Sequence, residues 1–443
     1  LPAKENEKEW MSMKTANELL TFIENSPSCF HVIANFRAML ADAGYTELRE
    51  TEAWQLAAGG KYFTVRNESS IIAFRVPQTD FTGFMMSAAH SDSPTFKIKE
   101  NPEAAGTYNV RLTTEKYGGA LMSTWFDRPL SAAGRLIVRE GGKIVTKLVN
   151  IDRDLLIIPS VAIHMNRAAN DGVKLLANVD TYPLFGGADA KGSFLKLAAE
   201  AAGVEERDIL GHDLFLYLRE KGTVLGAQNE YLASPKLDDL ECAFGCMKGF
   251  LAAQDAHSVP VCCVFDNEEV GSGTKQGAAS TFLYDVLHRI NDACGRTEEQ
   301  YRTAVASSFL VSADNAHAMH PNHPEYSDAV NCPQLGLGVV IKFNANQRYT
   351  TDAVSGAIFR TVCADAGVPV QVYANRSDLP GGSTLGNIAN AHVSLNTVDI
   401  GLAQLAMHSA YETAAVADLG FLVSAMTAYY GRSLTADGAA YTL

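Results

Sequence analysis

Between residues 69 and 89 the chain carries two unbroken apolar runs of strand length, SSIIAFRV (69–76) and TGFMMSAA (82–89). Neither alternates apolar with polar residues, so both require strands covered by other layers on each face. The texture returns in runs 259–265, 307–312, 335–343, 368–373 and 393–400, and helical patterns beginning near 277, 351 and 409 fall between them. Leu240, Ala243, Phe244, Met247, Phe250 and Leu251 trace one face of a further helix just before run 259–265. Residues 14–44 read as two helices broken at Ser26-Pro27. The alternation predicts an α/β fold, a mainly parallel sheet flanked by helices, whose ligands gather outside the carboxyl ends of the strands.

From about residue 99 to 230 the pattern becomes shorter, more polar and alternating, with the hairpin candidate RLIVREGGKIVTKLV (135–149) turning at Gly141-Gly142. This predicts an inserted β-rich domain over 99–230, with 1–98 and 231–443 forming the main domain. A length of 443 residues accommodates two cores, each able to fold without disulfide staples. The eight cysteines contain no C-x-x-C and several sit in apolar segments, as buried thiols in a reducing compartment would. The polar start LPAKENEKEW lacks the layout of a secretory signal; an added segment or an upstream extension is expected over residues 1–10, with Met11 and Met13 as candidate starts. A cytoplasmic location is expected. No apolar run reaches the roughly 20 residues that span a bilayer, so no membrane partner is expected. The net charge of −14, without a Lys/Arg cluster, argues against nucleic acid.

Metal-binding residue types stand at the ends of these strands. His90 and Asp92 (AAHSD) follow the second run at a spacing that lets one ligate while the other orients it. Glu268-Glu269 (FDNEEVGSG) lie past run 259–265, and neighbouring carboxylates call for a cation or a shared proton to relieve their repulsion. One can ligate while the other serves as a base. Asp314 (LVSADNAH) follows its strand, His408 (LAMHS) follows the last, and Asp238 (SPKLDD) opens the helix at 240. Taken singly, such an Asp is more often a helix cap and such a His a satisfied surface group. Their weight comes from sharing one edge of one sheet in a chain with 11 His. Three carboxylates with two imidazoles suit zinc, with manganese or cobalt as alternatives. Five ligands exceed the need of one open site but serve two ions about 3.5–4 Å apart if Asp238 bridges them.

These residues, with the stretches AHSDSP (89–94), YGGALMSTWFDRPLSAAGR (117–135), VAIHMNR (161–167), KLDDL (236–240), DNEEVGS (266–272), SADNAHAMHPN (312–322), VIKFNANQRY (340–349) and LAMHS (405–409), resemble the M18 family of aspartyl aminopeptidases along the whole chain. The resemblance implies a zinc-peptidase type of α/β fold and two Zn2+ per subunit, held by His90, Asp238, Glu269, Asp314 and His408. It also implies Glu268 as general base with Asp92 beside it. Beyond the single chain it implies an inserted dimerisation domain, a homo-oligomer that is a dodecamer built from dimers, and a His164 that reaches a neighbouring subunit's active site. The family's LDN reads Leu237-Asp238-Asp239 here, and its cysteine-glycine tract reads Pro380-Gly381-Gly382-Ser383.

The activity this implies is release of N-terminal residues from peptides, Asp and Glu above all, by water activated at the two-metal centre. Lys342, in the apolar run GLGVVIKF, is the cation an acidic side chain would need, and the family pattern places it and Tyr349 at the substrate; the plainer alternative is a lysine snorkelling from a strand end. His317 either binds substrate or caps a turn. Rival readings are another dinuclear hydrolase, such as a deacylase or carboxypeptidase, which blocked-amine substrates would separate, and a non-catalytic assembly protein, which would lack a ligand or the base.

Overall fold

The computed structural model describes residues 2–379 and 381–443, so that Leu1 and Pro380 lie outside the described residues. A nine-stranded sheet runs in the order Thr46–Glu47, Gly60–Arg66, Ser70–Val76, Val259–Phe265, Phe84–His90, Phe309–Ala313, Asn396–Gly401, Val339–Phe343 and Val370–Ala374. Five of its eight strand pairings are parallel, including all three that join the four strands from Val259–Phe265 to Asn396–Gly401. The α/β fold expected from the strand–helix alternation is thus present.

The apolar runs are buried on both faces because their side chains alternate between two cores. Along Phe84–His90, Met85 and Ala89 join one core, while Phe84, Met86 and Ala88 join the other. Cys262 and Val264 divide from Val261, Cys263 and Phe265 in the same way. The first core is roofed by helices Cys29–Asp42, Leu237–Ala252, Ala353–Asp365 and Val416–Tyr430, the second by Phe282–Ala293 and Glu298–Ala306. Capping boxes start two of these helices, Thr297 with Gln300 and Asp352 with Ser355.

A second sheet of six strands draws every strand from residues 95–218 and has its own core around Phe96, Trp125, Leu136 and Leu214. Its hairpin Leu130–Glu140/Lys143–Asn150 turns at Gly141-Gly142, both with positive φ, as the turn requires. Strand Asn109–Tyr117 of this sheet ends beside the carboxyl edge of the first. Among the described residues no helix is long and apolar enough to cross a membrane, and all eight cysteines are free thiols.

Candidate metal centre

The carboxyl ends of the parallel strands bring the expected ligands together. His90 is the last residue of its strand and lies level with Phe265, the last of the next. Asp314 directly follows Phe309–Ala313. Asp238 precedes the regular part of its helix, with a non-helical ψ of 107° that points it away from the helix path. His408 sits in a left-handed turn at φ 68°.

Two groups of side chains offer ligand atoms within 4.8 Å of one another: His90 with Asp238, Asp239 and Asp314, and Asp238 with Glu269 and His408. A third joins His90 to Glu268 and Glu269. Asp238 faces both imidazoles, with Oδ1 3.5 Å from His90 Nε2 and Oδ2 3.3 Å from His408 Nε2. Glu269 Oε2 lies 3.5 Å from His408 Nε2, and Asp314 Oδ1 3.9 Å from His90 Nε2. His90, Asp238, Asp314 and the side chain of Glu269 are buried, whereas Glu268 and His408 are partly open.

So many carboxylates in so little water perturb one another. Burial, with help from Asp314, Asp92 and Asp238 and against the pull of His90, pushes Glu268 up to about 8. Burial and Asp238 raise Glu269 well above the carboxylate range. In the opposite sense, burial disfavours a charged His90, yet Asp239, Asp238 and Asp92 outweigh it and hold the ring well above the ordinary imidazole value. Such mutual shifts mark a place poised to receive positive charge.

Asp92 organises the centre rather than facing it. Its backbone oxygen lies 3.1 Å from His90 Nδ1 and its Oδ1 3.3 Å away, leaving His90 Nε2 to point at the carboxylates. The same carboxylate accepts the backbone N–H of Glu268 on Oδ1 and of Glu269 on Oδ2, both at 3.1 Å.

Residues 22–430 match the family of aminopeptidase I zinc metalloproteases (M18). The chain belongs to the M18 family. A relative in Clostridium novyi (strain NT) named "Probable M18 family aminopeptidase 2" is 44% identical over 92% of this chain and 96% of its own. Among solved structures, the cryo-EM structure of the Ape4 and Nbr1 complex superposes with a TM-score of 0.92 at 34% identity, covering 95% of this chain and 86% of that one. The mApe1 dodecamer of Saccharomyces cerevisiae follows at 0.82 and 27%, covering 94% and 96%. This M18 chain is therefore a zinc aminopeptidase, a hydrolase of peptide bonds.

The residues present fit zinc. Asp238 Oδ1, Asp239 Oδ1 and Glu269 Oε1 are buried without a hydrogen-bond partner, an arrangement a protein interior tolerates only where another positive or donor group comes in. Two imidazoles among carboxylates form the mixed nitrogen and oxygen set zinc accepts.

The substrate-side candidates separate. Lys342 is buried with its Nζ 2.8 Å from Asp314 O, 3.3 Å from Asn315 O and 3.8 Å from Asp314 Oδ2, so it does not snorkel outward. Burial works against its charge, but Asp314, Tyr349 and Asp399 prevail and keep it an ammonium. Its Nζ stands 5.0 Å over the Tyr349 ring, and Tyr349 is packed on Tyr373. His317 is exposed on the same side, 6.0 Å from the Tyr373 ring. His164 lies apart from these, exposed in a turn between the strands Lys143–Asn150 and Leu184–Gly187 of the second sheet, closed by Met165 and Asn166 N–H groups on Ala162 O.

Three supporting features have no role assigned by the motifs, although Tyr117, Gly118 and Gly119 open the stretch 117–135. Glu412, almost wholly buried, accepts the backbone N–H of Asp238 at 3.0 Å and of His408 at 2.7 Å, holding two of the candidate ligands from one carboxylate. Its signal is a single charge in the stretch AYETAAVA (410–417). Tyr117 reaches in from the second sheet to Asp92. Gly118 and Gly119 allow close approach: a Cβ on the first would meet Glu269 Cβ at 3.1 Å, and on the second His408 Nδ1 at 2.9 Å.

Proposed function

We propose that this M18 chain holds two zinc ions and releases N-terminal residues, Asp and Glu in preference, from peptides. The observation that carries the two-ion reading is the position of Asp238 between the His90/Asp314 group and the Glu269/His408 group, where it can bridge. Manganese or cobalt would suit the same donors. When bound, the ions supply Lewis acidity, polarising a carbonyl and making water a better acid.

Glu268 serves as general base, taking the proton from the attacking water and returning it to the leaving amine nitrogen. Asp92 anchors it through the backbone N–H of Glu268; burial among carboxylates raises this carboxyl in the metal-free chain, and bound cations would lower it again. Asp92 also sets the His90 ring. The excess of carboxylate around the centre favours a substrate that enters with a positively charged free amine over one that leads with a carboxylate, which supports an aminopeptidase over a carboxypeptidase or deacylase. An acidic first side chain then needs a local cation. Lys342 is that cation, with Tyr349 and Tyr373 forming the wall beside it and His317 the outer rim.

The assembly is a homo-oligomer, a dodecamer built from dimers through the inserted domain of residues 99–230, with residues 1–98 and 231–443 as the catalytic domain. Val161, Ile163, Met165, Val173, Leu176 and Val179 are exposed around His164, an apolar surface suited to a second copy that would receive His164 at its own centre. The free thiols fit a cytoplasmic location.

The test is metal analysis before and after chelation, followed by assays on peptides with a free or an acetylated N-terminal Asp. The expected result is two zinc ions per chain, activity lost and regained with zinc, and no turnover of the blocked peptide. Equal cleavage of the blocked peptide would move the chain to the deacylase class.

A further inference from the structure

Asp239 stands outside the five-ligand set, yet its environment is unlike that of a structural aspartate. It is fully buried, and one oxygen, Oδ2, accepts the backbone N–H of His90 at 3.0 Å. The other, Oδ1, has no hydrogen-bond partner. An asparagine would offer His90 the same acceptor without bringing a charge into the interior, where an ionised oxygen left unpaired is costly. A second role would account for the acid. Asp239 offers a ligand atom within 4.8 Å of those of His90, Asp238 and Asp314. The buried ammonium of Lys342 donates to the carbonyl oxygens of Asp314 and Asn315 and makes no hydrogen bond to Asp239 Oδ1. A divalent ion among these side chains is the charge that Oδ1 lacks.

We propose that Asp239 is a further acidic member of the metal centre, its free oxygen facing the ion held by His90, Asp238 and Asp314 and strengthening that ion's binding. This rests on the two-ion reading above. The two positions then differ in kind. The first gathers three carboxylates and one imidazole, the second, formed by Asp238, Glu269 and His408, two carboxylates and one imidazole. The more oxygen-rich position takes hard ions such as manganese more readily than its neighbour.

Asp239→Asn separates charge from shape. Zinc and manganese are titrated into the metal-stripped protein against a chromogenic chelator, and the melting temperature of the metal-free protein is read alongside. In the variant, one of the two binding steps weakens about tenfold or more and the other stays within about threefold. The metal-free variant melts at or above the wild-type temperature, because the amide keeps the acceptor for the His90 N–H and removes a buried carboxyl whose other oxygen has no partner. Wild-type affinity at both steps overturns the proposal. So does a metal-free variant that melts lower or fails to fold, since Asp239 is then a structural residue. A wild-type protein that binds no ion at all sinks the two-ion reading instead, and the two failures are thereby told apart.

Discussion

The Tyr117 hydroxyl donates to Asp92 Oδ2 at 2.7 Å, so that the last residue of a strand in one sheet steadies a carboxylate at the edge of the other. Asn267 Nδ2 donates to the same hydroxyl at 2.9 Å, which ties this contact to the Glu268-Glu269 turn. Tyr117→Phe removes the donor and keeps the ring. The expected outcome is a fall in kcat of about tenfold with KM little changed, since the base and the His90 ring lose definition while the substrate wall does not. Steady-state kinetics on an Asp-anilide checks it, and a pure rise in KM would contradict it.

Glu268→Gln should keep the chain folded and both zinc ions in place, because the ligand groups of His90, Asp238 and Asp314 and of Asp238, Glu269 and His408 do without it. Turnover should drop by about 100- to 10,000-fold, the range for losing a positioned acid–base group. Metal content measured on the same sample as the rate decides the matter; a fully loaded variant with wild-type turnover ends the assignment.

Lys342→Ala distinguishes selectivity from support. If the ammonium reads the substrate, kcat/KM on an Asp-anilide falls by about thirtyfold or more, while a Leu-anilide changes by less than about threefold. Equal losses on both would mean that Lys342 acts only by bracing the Asp314 and Asn315 carbonyls.

In the metal-stripped protein, pH should act through the crowded carboxyls. Glu268 moves from an ordinary value of 4.5 up to about 8 by burial and by its acidic neighbours. A carboxyl whose folded pKa is raised favours the protonated state on folding, so its contribution is whole below the ordinary value and is lost as pH rises through about 8. The melting temperature of chelated protein should therefore fall between about pH 5 and about pH 8, and zinc should flatten the slope. A melting temperature that climbs over this interval would rule out the crowding.

Much of this centre can be read from the chain because strand ends fix where side chains meet. His90, Glu268-Glu269 and Asp314 each follow an apolar run, and parallel neighbours carry them to one edge whatever the helices between them do. Strand limits were harder to read. The run 335–343 becomes strand only from Val339, because Gly336 and Gly338 take φ of 83° and 106° and the latter presses its Cα face against Pro369 O. Likewise Ser308 turns its hydroxyl to Ala304 O and Phe84 N, delaying the strand to Phe309. The roles of Glu412 and Tyr117 are not legible in the sequence for another reason: they act through backbone groups and through a second side chain, contacts that no spacing rule encodes. Lys342 stands between these cases, its burial expected from the apolar run and its carbonyl partners set only by how the two strands on either side of Asn396–Gly401 end.

The close seat of Gly118 and Gly119 against Glu269 and His408 has a consequence for how the chain can be divided. The candidate metal centre is stitched from residues 90–92, 117–119, 238–239, 268–269, 314 and 408–412, so no contiguous half of the chain owns it. Split at any loop between these stretches and expressed as separate pieces, it would yield two inert fragments, and even a methyl group added at position 119 would push aside a histidine almost three hundred positions away.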